Sequence, residues 1–246
     1  MDNVRTVSDT KRDFYSQYTR PINSIYRRVV EELLVEMHLL SVNVDFRYDP
    51  IYGLGVVTSY EKFMAGYQPE QDKEKIFEAL CQSVGGNATQ YKNEANGLLT
   101  LTQQWSGEEF MDWLQAPTPK DGAELLADTV QAIAGNEKYK YSRLFAIGLY
   151  TLVAEASPEL IKDDEKRGAA LKQLAETLHL PAEKMQKDLD VFRGNLQKME
   201  QLLKVMAEAL EADRKKREKA AAEKANPGDG DTTEESATPD PTPSDN

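Results

Sequence analysis

The chain has 246 residues, of which 40% are apolar and 29% charged, and its net charge at neutral pH is −12. This length is enough to bury a substantial core. The acidic balance argues against nucleic-acid binding, which needs a basic surface to displace counterions from phosphates. The longest mostly apolar run, Leu144–Ala154, is too short to span a bilayer. The charged beginning, MDNVRTVSDTKRDF, lacks the apolar segment of a secretory signal, so we expect no signal peptide.

The first predicted helix covers residues 21–40. Proline at position 21 favours a first helical turn. On the solvated side, Arg27–Glu31 and Arg28–Glu32 are pairs of opposite charge four residues apart, which support a helix weakly. Apolar side chains recur on the other side at helical spacing, at Ile22, Tyr26, Val29, Leu33, Met37 and Leu40.

The next segment, YDPIYGLGVVTSY, raises the question of a nucleotide site. Its glycine pair, within residues 53–55, follows an alternating run, as in a dinucleotide-binding turn. The third small residue of that motif would lie at Thr58, however, and the following region has helical rather than strand periodicity. Asp49 and Pro50 are instead a good N-cap and first helical residue. We therefore predict a helix whose apolar face includes Gly53, where a glycine lets a neighbouring helix come close.

Six further helices are predicted before residue 180. One of them begins behind the capping box Ser106-x-x-Glu109, and another, at about 139–156, is apolar enough to form the centre of the core. Only residues 42–48 alternate as a strand would, which is too little for a sheet. The fold class predicted is therefore all-α, with a compact multi-helix body. The six helices lie at about 70–84, 88–104, 107–115, 121–134, 139–156 and 163–179.

A heptad pattern begins after residue 181 and is referred to below as the seam. Its apolar side chains recur at a and d positions, which is typical of a helix that packs along one stripe. The helix is predicted to continue to about residue 225. The seam residues are Met185, Leu189, Phe192, Leu196, Met199, Leu203, Met206 and Leu210.

Three interpretations of the seam remain open. It packs on the chain's own body, pairs with a second copy as a coiled coil, or docks on the helices of another protein. The basic run at residues 214–219 could also contact anionic lipid, although a solvated helix end is the usual meaning of such a run. For docking on another protein, the candidate partner contacts are Leu189, Phe192, Leu196, Met199 and Leu203.

The end of the chain, residues 226–246, contains six acidic residues, no basic ones and almost no apolar ones. Such a segment cannot bury enough surface to offset its ordering entropy, so it is predicted to be disordered. The predicted organisation is therefore a helical body at 1–180, a long heptad-patterned helix at 181–225 and a disordered acidic tail at 226–246.

The sequence offers no constellation for catalysis or for a metal. Glu176-x-x-His179 has the spacing used in di-iron helical bundles, but the second such pair is missing, since Val35 stands three residues before His38. A single cysteine, Cys81, provides no zinc spacing and no internal disulfide, and fits a reducing compartment. We expect a protein that is not an enzyme and that binds no cofactor or metal. A site of dispersed acidic residues is the one enzyme interpretation left open.

Two long segments resemble the thylakoid formation protein family. They are TVSDTKRDFYSQYTRPINSIYRRVVEELLVEMHLLSVN, residues 6–43, and FRYDPIYGLGVVTSYEKFMAGYQPE, residues 46–70. The resemblance is close over about the first 84 residues, looser through the helical remainder, and absent from the acidic tail. Gly53 stands where alanine is expected. This family is a photosystem II biogenesis factor of cyanobacteria and chloroplasts, and without a transit peptide the chain resembles the cyanobacterial form.

The resemblance implies an all-helical protein without known catalytic activity, attached peripherally to the cytoplasmic face of thylakoid membranes. It implies a part in thylakoid biogenesis and in photosystem II assembly and repair. The expected partners are FtsH-type membrane proteases and photosystem II assembly intermediates. A peripheral protein that binds or remodels thylakoid lipid is the alternative. The family supplies no catalytic residues to assign in this chain.

Overall fold

The computed structural model describes residues 5–118 and 120–225, and within these ranges the chain forms helices and no strand. The predicted all-α class, with a long C-terminal helix, is confirmed. The predicted tail at 226–246 lies outside the described residues. The helices are α1 Val7–Gln17, α2 Ser24–Ser41, α3 Pro50–Phe63, α4 Asp72–Ser83, α5 Ala88–Thr102, α6 Gly107–Gln115, α7 Glu124–Ala134, α8 Arg143–Ala156, α9 Pro158–Lys162, α10 Asp164–Thr177 and α11 Ala182–Ala225.

The first helices begin at side-chain caps, and two of these differ from the sequence prediction. Helix α1 was not predicted, although Thr6 and Asp9 form a complete capping box. Helix α2 begins at Ser24 because the side chain of Asn23 accepts a hydrogen bond from the N–H of Ile25. Pro21 therefore lies before the helix, and the prediction that it forms part of the first turn was wrong.

The glycine-containing segment that raised the question of a nucleotide site is the start of α3. The Asp49 side chain accepts a hydrogen bond from the N–H of Tyr52 at 2.8 Å, and Pro50 is the first helical residue, as predicted. The expectation for Gly53 was wrong in its detail. A Cβ at Gly53 would lie 2.4 Å from the Tyr48 hydroxyl and not against a neighbouring helix.

Helices α3 and α8 form the closest packing in the fold, and the second glycine of the segment makes it possible. A Cβ at Gly55 would lie 1.7 Å from the carbonyl oxygen of Leu144 in α8. A Cβ at Gly148 would lie 1.8 Å from the carbonyl oxygen of Ile51 in α3. Because neither glycine has a side chain, the two backbones touch. Helix α3 is buried along Pro50–Tyr60, with α5, α2 and α7 also packed against it.

The chain divides into two compact units, Met1–Glu200 and Gln201–Asn246. Helix α11 is 44 residues long and contributes its first part to the first unit and its later part to the second. The predicted boundary at residue 180 corresponds to the start of this helix. The division into domains itself stays a prediction.

A buried carboxyl group lies at the start of α3. Asp49 is almost fully buried and accepts a hydrogen bond from the Tyr139 hydroxyl at 3.0 Å. Burial raises the pKa of Asp49 to about 6, against the hydrogen bonds from Tyr52 and Tyr139, which lower it. The nearby Glu94 raises this pKa slightly further and accepts a hydrogen bond from the Tyr48 hydroxyl. The Asp49 side chain therefore caps α3, but burial of its carboxylate away from water disfavours the charged form and lowers stability.

The α3–α8 crossing predicts a large effect of a single methyl group. Gly55→Ala should lower the free energy of unfolding by about 3 kcal/mol, because its Cβ would press on backbone atoms that cannot rotate away. The matched control is Gly97→Ala in α5, where a Cβ meets no atom within 4 Å. That change should stabilise the protein by about 0.5–1 kcal/mol. Urea unfolding of the two variants measures the difference in their free energies of unfolding. Similar effects at both glycines would contradict the close contact between the backbones of α3 and α8.

The burial of Asp49 predicts a pH-dependent cost. The pKa of Asp49 is about 6 in the folded state, against an ordinary value of 3.8 for aspartate, so the folded state binds the extra proton between those two pH values. Stability from this group is therefore present below about pH 4 and is lost as the pH rises through 6.

Asp49→Asn removes this titration and keeps a good N-cap. The variant should gain stability relative to the unmodified protein as the pH rises from 4 to 7, by about 3 kcal/mol for a shift of two pKa units. Urea unfolding at a series of pH values measures the gain. A difference that stays constant with pH would contradict it.

Candidate functional site

A groove with a volume of about 910 Å³ runs beside α2 in the first unit. Its walls come from four elements: α1 contributes Lys11, α2 contributes one face from Ser24 to Leu40, and the starts of α8 and α11 contribute residues near Arg143 and Lys184. A groove shared by several rigid helices is a surface on which another chain can dock without rearrangement of the fold.

The lining of the groove includes an apolar strip. Val35, Leu39 and Leu40 contribute it, and Leu39 is 58% exposed. Val42 and Val44, which follow α2 directly, are also exposed. A single exposed leucine needs no explanation, but one that lines a groove and is followed by two exposed valines marks a surface for contact.

Charged side chains surround this strip in almost balanced number, with five basic and four acidic residues in the lining. Eight of these nine residues form ion pairs with one another. The ninth, Arg27, forms no ion pair with any of the described residues. The pairs are Lys11–Glu31 at 2.7 Å, Arg28–Glu32 at 2.9 Å, Arg143–Glu36 at 2.5 Å and Lys184–Asp188 at 2.7 Å. The Arg28–Glu32 pair was predicted, whereas Glu31 pairs with Lys11 and not with the predicted Arg27.

The pair Glu36–Arg143 is the most buried of the four and joins α2 to the start of α8. Burial raises the pKa of Glu36 above its usual value, although the Arg143 guanidinium beside it lowers it. The neighbouring Asp188 accepts a hydrogen bond from the Tyr141 hydroxyl at 2.8 Å, which fixes the start of α11 to the segment before α8. The groove is therefore held open by fixed contacts between its walls.

The five seam residues named as candidate partner contacts fall into two groups. Leu189, Phe192 and Met199 are buried, and the ring of Phe192 packs edge-on against Phe63 of α3. Leu196 and Leu203 are half-buried. The buried three fill the core of the first unit and could meet a partner only by leaving it. Partner contact by any of the five stays a prediction.

The residues that line the groove were not identified from the sequence. The available signal was Leu39, an apolar residue that lies off the predicted apolar stripe of the first helix and directly precedes Leu40. One ion pair across the groove, Glu36–Arg143, joins residues that are more than 100 positions apart in the sequence. No local pattern predicts such a pair.

Two features are absent from the described residues. Among residues 5–118 and 120–225, no group of three His, Cys, Asp or Glu side chains is arranged to hold a metal ion. None of the helices in this part of the chain combines the length and hydropathy of a membrane span.

The Glu36–Arg143 pair predicts a pH-dependent effect of removing the arginine. Arg143→Met should lower the free energy of unfolding at pH 7 by about 1–3 kcal/mol, because it leaves a carboxylate that is only 19% exposed without its partner. The folded-state pKa of Glu36 is already raised, so it should rise further in the variant. At pH 4, below the ordinary glutamate pKa of 4.5, Glu36 is largely neutral in both the folded and the unfolded state, and the cost should shrink.

Urea unfolding at the two pH values measures this change. Glu36→Gln in the same chain is the control, since it removes the charge and should restore most of the loss at pH 7. An equal cost at both pH values would mean that Arg143 acts through packing and not through charge.

Comparison with known proteins places the chain among its relatives. A sequence profile of thylakoid formation proteins matches residues 6–221. Protein Thf1 of Gloeothece citriformis is 60% identical over 219 residues, which cover 89% of this chain and 97% of the relative. Protein Thf1 of Acaryochloris marina is 49% identical over 243 residues, which cover 99% of this chain and 98% of the relative.

The fold has a solved counterpart as well. A structure of Psb29 at 1.55 Å superposes with a TM-score of 0.73 at 46% identity, and the match covers 87% of this chain and 98% of that chain. The family to which these relatives belong is one of thylakoid formation factors and is not a known enzyme family. The resemblance seen in the sequence is confirmed, and the chain belongs to the thylakoid formation protein family.

Proposed function

We propose that this protein is a non-catalytic accessory factor in thylakoid biogenesis and in photosystem II assembly and repair. It acts by binding FtsH-type membrane protease complexes and positioning or stabilising them. It works as a peripheral protein on the cytoplasmic side of the thylakoid membrane, where it also meets photosystem II assembly intermediates. Family membership supports the process, and the groove beside α2 supports binding as the mode of action.

The observation that carries the proposal is an exposed leucine, Leu39, in a groove lined by balanced charges. Leu39 would lose its remaining contact with water when a partner helix covered the groove, and burial of its 58% exposed side chain would contribute about 1–2 kcal/mol. The four ion pairs around it present both signs of charge to a partner. Alternating charges select the register of a docked helix more than they add affinity. This combination suits a specific contact with another protein.

The state of the carboxylates supports a non-catalytic role for the same groove. A general acid or base needs a proton-transferring group that can reach a substrate. Each of the four acidic residues of the lining is instead held by a basic one, at nitrogen–oxygen distances of 2.5–2.9 Å. Cys81 is also unsuited to catalysis, because burial raises the pKa of its thiol to about 12.

The proposal predicts that one charge in the groove abolishes capture of the protease. Leu39→Glu should reduce recovery of FtsH-type protease from solubilised cyanobacterial membranes at least tenfold, since it places a carboxylate in the contact centre beside Glu36. The matched control is Leu125→Glu on α7, because Leu125 is a leucine of similar exposure, 49%, outside the groove. Its recovery of the protease should match that of the unmodified chain.

Circular dichroism of both variants first confirms that each remains folded, as expected for side chains that are already exposed. Normal capture by Leu39→Glu would exclude the groove as the interface. In that case Leu203→Glu tests one of the two predicted seam contacts that are only half-buried. If the unmodified chain itself captures no FtsH-type protease, the proposed accessory mechanism is wrong.

A further inference from the structure

The second unit presents apolar side chains to solvent. Leu202, Val205 and Leu210 are exposed by 38%, 62% and 70%, and Leu203 and Met206 are half-buried. Leu202, Met206 and Leu210 follow one another at intervals of four residues, so they lie on one face of α11, with Leu203 beside them and Val205 at the edge. Five large apolar side chains within nine residues exceed the scattered exposure of an ordinary solvated helix.

The same face becomes basic immediately after Leu210. At 3.6 residues per turn, Asp213 and Arg217 continue the row of Leu202, Met206 and Leu210, and Arg214 and Lys216 flank it. Three bases and one acid therefore stand at this end of the face. We call residues 202–217 on this side of the helix the α11 face.

The opposite side of the helix carries the other charges. Glu211, Lys215 and Glu218 lie there, and two intrahelical pairs hold the acids in place. Lys215 pairs with Glu211 at 2.7 Å, and Arg214 with Glu218 at 3.5 Å. Glu211 and Glu218 are thus turned away from the apolar row, which leaves Asp213 as its one acid. Lys216 and Arg217 have no ion pair within the described residues. This asymmetry makes the α11 face apolar and positive together.

We propose that the α11 face docks in the plane of an anionic lipid surface. Leu202, Met206 and Leu210 would enter the boundary between headgroups and acyl chains, with Arg214, Lys216 and Arg217 against lipid phosphate groups. An amphipathic helix with basic residues beside its apolar face binds membranes in this way. The inference rests on the peripheral membrane association in the proposed function and identifies the surface responsible for it.

A second copy of the chain fits this face less well. In a parallel pair Arg217 would face Arg217, and in an antiparallel pair centred on Met206 the basic residues 214–217 would approach Lys198 of the other copy. Like charges opposite one another oppose such pairing. An anionic surface has no such conflict, because it neutralises every base on the face.

The test uses the full chain and vesicles of phosphatidylcholine with or without phosphatidylglycerol, with bound protein measured by co-sedimentation. The unmodified chain should bind the anionic vesicles and should not bind the neutral ones. Leu210→Glu should lower the partition coefficient at least tenfold, and each of Lys216→Gln and Arg217→Gln about fivefold, the expected contribution of one base near a charged bilayer. Leu125→Glu, an exposed leucine on α7, should bind as the unmodified chain does.

Removing residues 227–246 provides an independent variant. The sequence places six acidic residues and no base in that stretch, which directly follows α11. If bases of the α11 face bind lipid phosphate, loss of these acids should strengthen binding to anionic vesicles, and the gain should diminish as salt screens the charges. Weaker binding by this variant would contradict the proposal.

Other outcomes separate this inference from the proposed function. Absence of binding to anionic vesicles, equal binding to neutral ones, or normal binding by Leu210→Glu would each overturn the lipid contact. Loss of protease capture by Leu210→Glu with unchanged vesicle binding would assign the α11 face to a protein partner. Loss of protease capture by Leu39→Glu with normal vesicle binding would support two separate surfaces. Failure of the unmodified chain to capture the protease would contradict the proposed function, whereas the vesicle measurements would still decide whether the α11 face binds lipid.

Discussion

The contact between the backbones of α3 and α8 is the constraint on which the first unit depends. With hydrogen atoms alone at Gly55 and Gly148, each helix lies against a carbonyl oxygen of the other. This closeness allows α3 to be surrounded by α8, α5, α2 and α7. It also places the start of α8 where Arg143 can reach Glu36 of α2. The shape of the groove beside α2 thus depends on the packing of α3 against α8 at Gly55 and Gly148, although neither glycine lines the groove.

Much of the fold follows from local rules that can be read in the sequence. The N-caps at Asp49 and Ser106 and the heptad pattern of α11 predicted helix starts and a long helix that the structure contains. Other features depend on which elements meet. Gly53 and Gly55 have the same chemistry and lie on the same helix, yet one meets the Tyr48 ring and the other meets a helix backbone. Periodicity places a glycine on a face but does not say which neighbour covers it.

The candidate site was less accessible to sequence reasoning than the fold. Seam residues were chosen as partner contacts because their spacing is regular, but regular apolar spacing is equally the pattern of a buried stripe, and Leu189, Phe192 and Met199 are buried. Leu39 lies outside the regular pattern, and its exposure depends on the positions of α1, α8 and α11 around the groove. An irregular apolar residue on a polar helix face was a better indicator of an exposed apolar side chain than a regular one.

The two candidate surfaces differ in the way that their charges are arranged, and this difference is the reason that we propose different partners for them. In the groove beside α2, eight charged residues neutralise one another within the first unit, so a partner gains little by charge alone and must match the pattern. On the α11 face, Lys216 and Arg217 lie near exposed leucines and form no ion pair within the part of the chain that the structure describes. An anionic lipid surface has no fixed arrangement of charges for the helix to match, but it supplies negative charge at every position. Selective binding of a protein therefore suits the groove, and unselective attachment to a membrane suits the helix.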